Sequence, residues 1–278
     1  MSSPTTKKPS VRRAPASATS TDDFLGGRIN IAQPRGGHRA GSDAVLLAAA
    51  VPAQAGERVL DIGAGVGVAG LCLLARISGI AVTAVEIDPG LSALAAQNAG
   101  RNGFAERFEI INADVTSPGK MLRAAGLKRE SYHQLIANPP FHAEGRVRAA
   151  PDAARATAHV MGEGGLAAWL RFVAAMAAPN GLLTLIHRPD CLGELLALLD
   201  RRFGDIAVFP LFPKRDEPAT RIIVQAKKGS RAGLSLLPGL VLHEEDGCYA
   251  EEAEAVLRGG EALALRGSSK RKGRRLGG

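Results

Sequence analysis

The chain has 278 residues, of which 46% are hydrophobic, and a formal net charge of +8. That is enough apolar material for one large domain with a buried core, which excludes a chain kept unfolded by its composition. Its three cysteines, Cys72, Cys191 and Cys248, lie far apart without a C-x-x-C or Cys/His ligand spacing; this argues against a metal site and a disulfide framework, and for reduced thiols in a cytoplasmic setting.

Every apolar run is interrupted by charge, Gly or Pro before it reaches the roughly 18 to 20 residues of a membrane span, so no membrane association is expected. The charge is unevenly placed. Residues 1–21 hold four cations and no acid, and residues 266–278 hold six cations and no acid, which leaves the middle of the chain two charges negative. Pro4, Pro9 and Pro15 break any amphipathic helix in the first segment, and both ends are expected to be disordered basic tails. Such tails suit sequence-independent contact with phosphates, and equally suit a role in solubility.

From residue 57 onward, strand signals alternate with helix signals, the pattern of a mostly parallel, doubly wound α/β sheet. Upstream, residues 24–41 are rich in Gly and Arg, and a helix is expected from Ser42 to about Ala50, with Ser42 or Asp43 as its cap. Segment 57–62 reads as a buried strand that runs through a glycine turn into a helix. A second strand, 81–87, leads through Asp88 and Pro89 into another helix, the aspartate as cap and the proline as a favourable first residue. Strands follow at 107–112 and 133–137, then an apolar helix at 163–178, a strand at 181–187 and a helix near 191–203. Runs 205–212 and 220–227 read as an antiparallel pair at the sheet edge. Residues 229–265 form a small appendage of the same domain, with one strand and one helix.

Two motifs carry chemistry. In Val59-Leu60-Asp61-Ile62-Gly63-Ala64-Gly65-Val66-Gly67, glycines stand where a buried strand turns into a helix, so the backbone can approach a ligand closely. The spacing Gly65-x-Gly67-x-x-Gly70 also satisfies the dinucleotide fingerprint, which leaves an NAD-dependent oxidoreductase open. The surrounding acids weigh against a pyrophosphate: Asp61 precedes the first glycine, and Glu86, Asp88 and Asp114 lie at the ends of the next two strands. S-adenosyl-L-methionine has no phosphate and carries an ammonium and a sulfonium, so these acids favour it.

In Asn138-Pro139-Pro140-Phe141, two successive prolines forbid helix and leave carbonyls without N–H groups. The Asn138 side-chain oxygen and the Pro139 carbonyl can accept from the two hydrogens of an exocyclic amine and leave its lone pair free to attack. Phe141 offers a face on which a flat, unstacked base can rest. In isolation the same run is also an ordinary Pro-Pro turn with a core aromatic.

The sequences D-I-G-A-G-V-G, A-V-E-I-D-P and N-P-P-F together resemble the class I methyltransferase family over residues 24–228. The resemblance implies that Glu86 holds the ribose hydroxyls of S-adenosyl-L-methionine, Asp114 accepts from its adenine amino group, Gly63 and Gly65 line its methionine part, Asp61 acts near its ammonium, and Asn138 is a cofactor contact as well as an acceptor contact. A turn or cap role stays open for Asp114. N-P-P-F resembles the amino-methyltransferase subgroup, which modifies adenine N6, guanine N2 and glutamine N5.

Together with F-L-G-G-R at 24–28 and Q-P-R-G-G-H-R-A-G-S-D-A-V-L-L-A at 33–48, it resembles the bacterial valine-tRNA adenine-N6 methyltransferases among the small-domain methyltransferases. That likeness makes Arg39, Gly41 and Asp43 candidate cofactor or acceptor contacts and RNA, above all tRNA, the substrate. Arg39 as a solvated loop residue and Asp43 as a helix cap remain open, and His142 reads equally as structural or RNA-contacting. The other functions carried forward are a protein glutamine-N5 or RNA guanine-N2 methyltransferase, the oxidoreductase, and a non-catalytic RNA-binding module.

Overall fold

The computed structural model describes residues 19–36, 39–139 and 165–265. Phe141 and His142 lie outside these residues, as do residues 1–18 and 266–278 of the two basic segments.

The first element is a hairpin, β1 (Thr19–Phe24) and β2 (Ile29–Pro34), paired antiparallel. It begins inside the stretch expected to be a tail, and its turn uses left-handed backbone at Leu25, Gly26 and Gly27. The F-L-G-G-R run is therefore a hairpin turn, for which two glycines supply the positive φ at little steric cost. Helix α1 (Ser42–Ala50) follows, then β3 (Arg58–Ile62), α2 (Val68–Arg76), β4 (Ala81–Glu86), α3 (Pro89–Arg101), β5 (Phe108–Asn112), a short α4 (Gly119–Ala124) and β6 (Tyr132–Ala137). After residue 164 come α5 (Gly165–Met176), β7 (Ala177–His187), α6 (Leu192–Leu199), β8 (Phe203–Phe212), β9 (Arg221–Lys228), β10 (Leu234–Leu236), β11 (Leu240–Val241) and α7 (Glu251–Leu257).

Nine strands form one sheet in the order β10-β8-β9-β7-β6-β3-β4-β5, with β11 also on β8. Strands β3 to β7 are mutually parallel, and β9 runs antiparallel to both its neighbours, β7 and β8. The antiparallel strand thus lies within the sheet, not at its edge. Beyond it β8 is extended by β10 and β11, so the residues read as an appendage complete the sheet and, through α7, its packing against α1.

One buried cluster holds α1, α2 and α7 against one face of the sheet; another holds α5 and α6 against the opposite face. From β3 the chain winds outward through β4 and β5, then returns to place β6 on the other side of β3. The order reverses between β3 and β6, and in an open α/β sheet the crevice beyond the strand ends at such a switch point is where ligands bind.

The hairpin is fastened to the domain by two asparagines four positions apart, Asn98 on α3 and Asn102 at its C-cap. Asn98, fully buried, accepts from the Ala32 N–H at 2.9 Å and donates to the Ala32 carbonyl at 3.0 Å. Asn102 does the same with Asn30, both bonds at 2.9 Å. The side chains satisfy alternate residues of β2 as a neighbouring strand would, so this backbone is paired although β2 has only one strand partner. Asn98 also donates to the Val66 carbonyl at 3.0 Å, which ties the hairpin to the glycine turn.

Candidate cofactor and acceptor site

Ile62 at the end of β3 pairs with Val85 on one side and Ala137 on the other. The residues that follow, Gly63, Glu86 and Asn138, therefore leave the sheet side by side at its carboxyl edge. The turn after β3 adopts positive φ at Gly63 (68°), Gly65 (57°) and Gly67 (89°). Gly63 is glycine for a further reason: a Cβ there would stand 2.6 Å from Cη2 of Trp169 on α5. At Gly65 a Cβ would meet nothing within 4 Å, so that part of the turn faces open space.

The amides of this turn are already engaged. Gly63 and Ala64 donate to the Val85 carbonyl at 2.9 and 3.1 Å, and Gly67 donates to the Ala64 carbonyl at 2.9 Å. The Gly65 N–H goes to Oε2 of Glu86 at 2.8 Å, while Oε1 of the same carboxylate accepts from the Asp88 N–H at 2.9 Å. A pyrophosphate at this position needs free amides and a positive field. It would find these N–H groups spent and two buried carboxylates beside them.

Those carboxylates fit a cationic ligand. Asp61, 3% exposed, accepts from the Gly70 N–H at 3.0 Å. Burial pushes its pKa up to about 7, the Gly70 bond pulls the other way, and the nearby charge of Glu86 adds to the rise. A positive group placed beside the pair would relieve both the desolvation and the repulsion. The residues present therefore fit S-adenosyl-L-methionine, whose ammonium and sulfonium are cationic and whose ribose offers hydroxyls to Glu86.

The remaining candidates divide into two groups. Asn138, half-buried, and Pro139, buried, continue directly from β6 at the switch point, where the acceptor function requires them. Asp114 lies two residues past β5, and its Oδ1 accepts from the Thr116 N–H at 2.8 Å and the Thr116 hydroxyl at 2.7 Å. It is the turn residue that its neighbourhood suggested, placed at the edge where an adenine contact would also sit.

The segment before α1 is held from the hairpin. Arg39 donates to the Ser20 hydroxyl at 2.8 Å and the Pro34 carbonyl at 2.7 Å and pairs with the Asp22 carboxylate, so it is a built-in part of the scaffold, not a solvated loop residue. Gly41, not Ser42 or Asp43, occupies the N-cap of α1, without a side-chain cap. The Asp43 carboxylate instead takes the Arg221 Nε of β9 at 2.8 Å. That partner comes from 178 positions further along the chain, which is why local sequence suggested a cap.

Two residues that sequence reasoning missed are Asn98 and Trp169, both buried and both against the glycine turn. Asparagine inside a helix pattern and tryptophan in an apolar helix read as filler until the tertiary contacts are seen. Among the described residues no group of three His, Cys, Asp or Glu side chains could hold a metal ion, and no helix is long and apolar enough to cross a membrane.

The reversal of strand order, the glycine turn flanked by acids and the Asn-Pro edge define a class I methyltransferase. The profile of the methyltransferase small-domain family matches residues 39–177, and the chain belongs to that family: an enzyme that takes its methyl group from S-adenosyl-L-methionine. It is 27% identical to the tRNA1(Val) (adenine(37)-N6)-methyltransferase of Dickeya chrysanthemi, over 87% of this chain and 94% of that one. The protein of the same name in Tolumonas auensis is 30% identical over 62% of this chain and 68% of its own length. Among solved structures, a predicted O-methyltransferase from Agrobacterium tumefaciens is 31% identical, with a TM-score of 0.68, over 80% of this chain and 98% of that one.

Proposed function

We propose that the protein methylates the exocyclic N6 amine of an adenine in tRNA, in the cytoplasm, with Asn138 and Pro139 holding the acceptor. The observation that carries this reading is the pairing of Ile62 with Ala137, which sets Gly63 of the cofactor turn and Asn138 of the acceptor run next to each other at the switch point. The names of the Dickeya and Tolumonas relatives support the same acceptor.

When bound, S-adenosyl-L-methionine supplies an electrophilic methyl group. Glu86 would hold the ribose hydroxyls with the lone pairs that Gly65 and Asp88 leave free, Asp61 would serve the ammonium, and Asp114 would serve the adenine amino group. Gly63 and Gly65 let the backbone lie close to the methionine part. The Asn138 Oδ1 and the Pro139 carbonyl accept the two amine hydrogens, which turns the nitrogen lone pair outward along the line of attack. Phe141, by its residue type in the N-P-P-F run, would be the group to offer a stacking face to the base. An amine acceptor can release its proton after transfer, so none of these residues has to act as a strong base. A hydroxyl acceptor would demand one, and an amide and a carbonyl cannot serve; this separates the proposed activity from the O-methyl transfer named for the Agrobacterium protein. The cationic ends of the chain supply sequence-independent phosphate contact, and base selection falls to the site.

The experiment is methyl transfer from radiolabelled S-adenosyl-L-methionine with unmodified tRNA and with a tRNA-free protein extract. Label in the RNA fraction, abolished by Asn138→Ala, is the expected result. Label confined to protein would move the acceptor to glutamine.

A further inference from the structure

We infer that Trp169 is a positioning residue of the methyl-transfer site, which supports the cofactor turn through Gly63 and ties it to α5. The inference rests on the reading of the glycine turn as the seat of S-adenosyl-L-methionine.

The contact is specific in shape. The far tip of the indole six-membered ring, Cη2, lies 2.6 Å from the place a Cβ of residue 63 would take, with Cζ2 at 3.3 Å and Cζ3 at 3.6 Å. The ring edge thus fills the space that Gly63 leaves by having no side chain. The turn is then fixed on three sides. The Val85 carbonyl takes the N–H groups of Gly63 and Ala64, the Glu86 carboxylate takes that of Gly65, and Trp169 closes the side facing α5. Backbone that must lie within contact distance of a ligand gains from such support, because a small displacement of a binding group costs much of its effect.

The second observation is polar. Trp169 is 3% exposed, and its indole N–H is buried with no hydrogen-bond partner among the described residues. Tryptophan in a core usually finds a partner for this group, and an unpaired buried donor is a standing cost that phenylalanine or leucine would avoid. What tryptophan offers in return is reach: a rigid bicyclic plate long enough to touch the turn from α5. Helix α5 carries Trp169, so the position of α5 bears directly on the cofactor turn through this side chain.

The chain contains one tryptophan, so its intrinsic emission reports this contact alone. Calorimetry of the wild-type protein with S-adenosylhomocysteine comes first; an absence of binding overturns the cofactor reading and this inference with it. With binding established, the emission of Trp169 is expected to change saturably, with the calorimetric midpoint. In Trp169→Phe, which keeps an aromatic ring but shortens it, the KM for S-adenosyl-L-methionine is expected to rise about tenfold with kcat held within about threefold. Gly63→Ala should do less damage in Trp169→Phe than in the wild type, since the shorter ring leaves room for the methyl group. Emission that ignores a demonstrated ligand overturns the inference, as does a Trp169→Phe protein that folds and keeps its KM. Should Trp169→Phe fail to fold, the wild-type emission decides alone.

Discussion

The carboxylate of Glu86 reaches from the end of β4 to accept the Gly65 N–H at 2.8 Å, so the residue expected to hold the ribose also shapes the turn beneath the methionine part. This double engagement separates two substitutions. Glu86→Gln keeps one oxygen and can satisfy either the Gly65 or the Asp88 N–H, whereas Glu86→Ala leaves both without their side-chain acceptor. Calorimetry with S-adenosylhomocysteine should show affinity reduced about tenfold for Glu86→Gln and by considerably more for Glu86→Ala, in line with the loss of one or two charge-assisted bonds. Equal, small losses would show that the carboxylate serves the ligand little.

Asp61 makes stability depend on pH in an unusual direction. Its pKa stands at about 7 in the folded protein, against an ordinary value of 3.8. Between those values the folded chain keeps a proton that the unfolded chain has released, so this group's contribution to stability falls as pH rises through the window. The penalty is complete above pH 7 and absent below about pH 4. Asp61→Asn, whose amide oxygen can still accept from Gly70, should raise the melting temperature of the ligand-free protein by several degrees at pH 8 and by much less at pH 5. The same substitution should weaken cofactor binding. A melting temperature lowered equally at both values would mean that the carboxylate is not desolvated as described.

Asn138→Ala removes an acceptor that acts on the amine, not on the cofactor. Turnover should fall by at least about a hundredfold while the affinity for S-adenosylhomocysteine changes by less than about threefold. Parallel losses in the two quantities would make Asn138 a scaffold residue of the strand end.

Asn98→Ala removes one of the two asparagine ties of the hairpin and, with it, the tie to the glycine turn. Burying unpaired groups at Ala32 and Val66 should cost on the order of 2 to 4 kcal/mol. Hydrogen exchange should show the loss first at the Ala32 amide, which Asn98 accepts in the native protein. Uniform loosening of the central sheet, with the hairpin unaffected, would contradict this division.

The parts of the fold legible in the sequence are those encoded locally. Helix α1 runs from Ser42 to Ala50, as its apolar run indicated, and Asp88 caps α3 with bonds to Gly90 and Leu91. The glycine turn was equally legible as a turn, because its glycines follow directly on a buried strand and take the positive φ that such a turn needs. What could not be read depends on distant partners. The hairpin is held in place by Asn98 and Asn102, more than sixty positions away. Asp43 abandons a cap for Arg221, and Trp169 meets Gly63 only because α5 packs on the sheet face that buries Leu60, Ile62 and Ala137. The strand order past β9 was hidden for the same reason, since two- and three-residue strands carry too little pattern to announce their pairing.

The most direct test of the central claim is the chemical identity of the product. Unmodified tRNA is incubated with the purified protein and labelled S-adenosyl-L-methionine, digested to nucleosides and separated. Label that comigrates with N6-methyladenosine is the expected outcome and would establish donor, acceptor atom and substrate class together. Label in N2-methylguanosine, or none in RNA from a protein shown to bind S-adenosylhomocysteine, would contradict the assignment of Asn138 and Pro139 to an adenine amine.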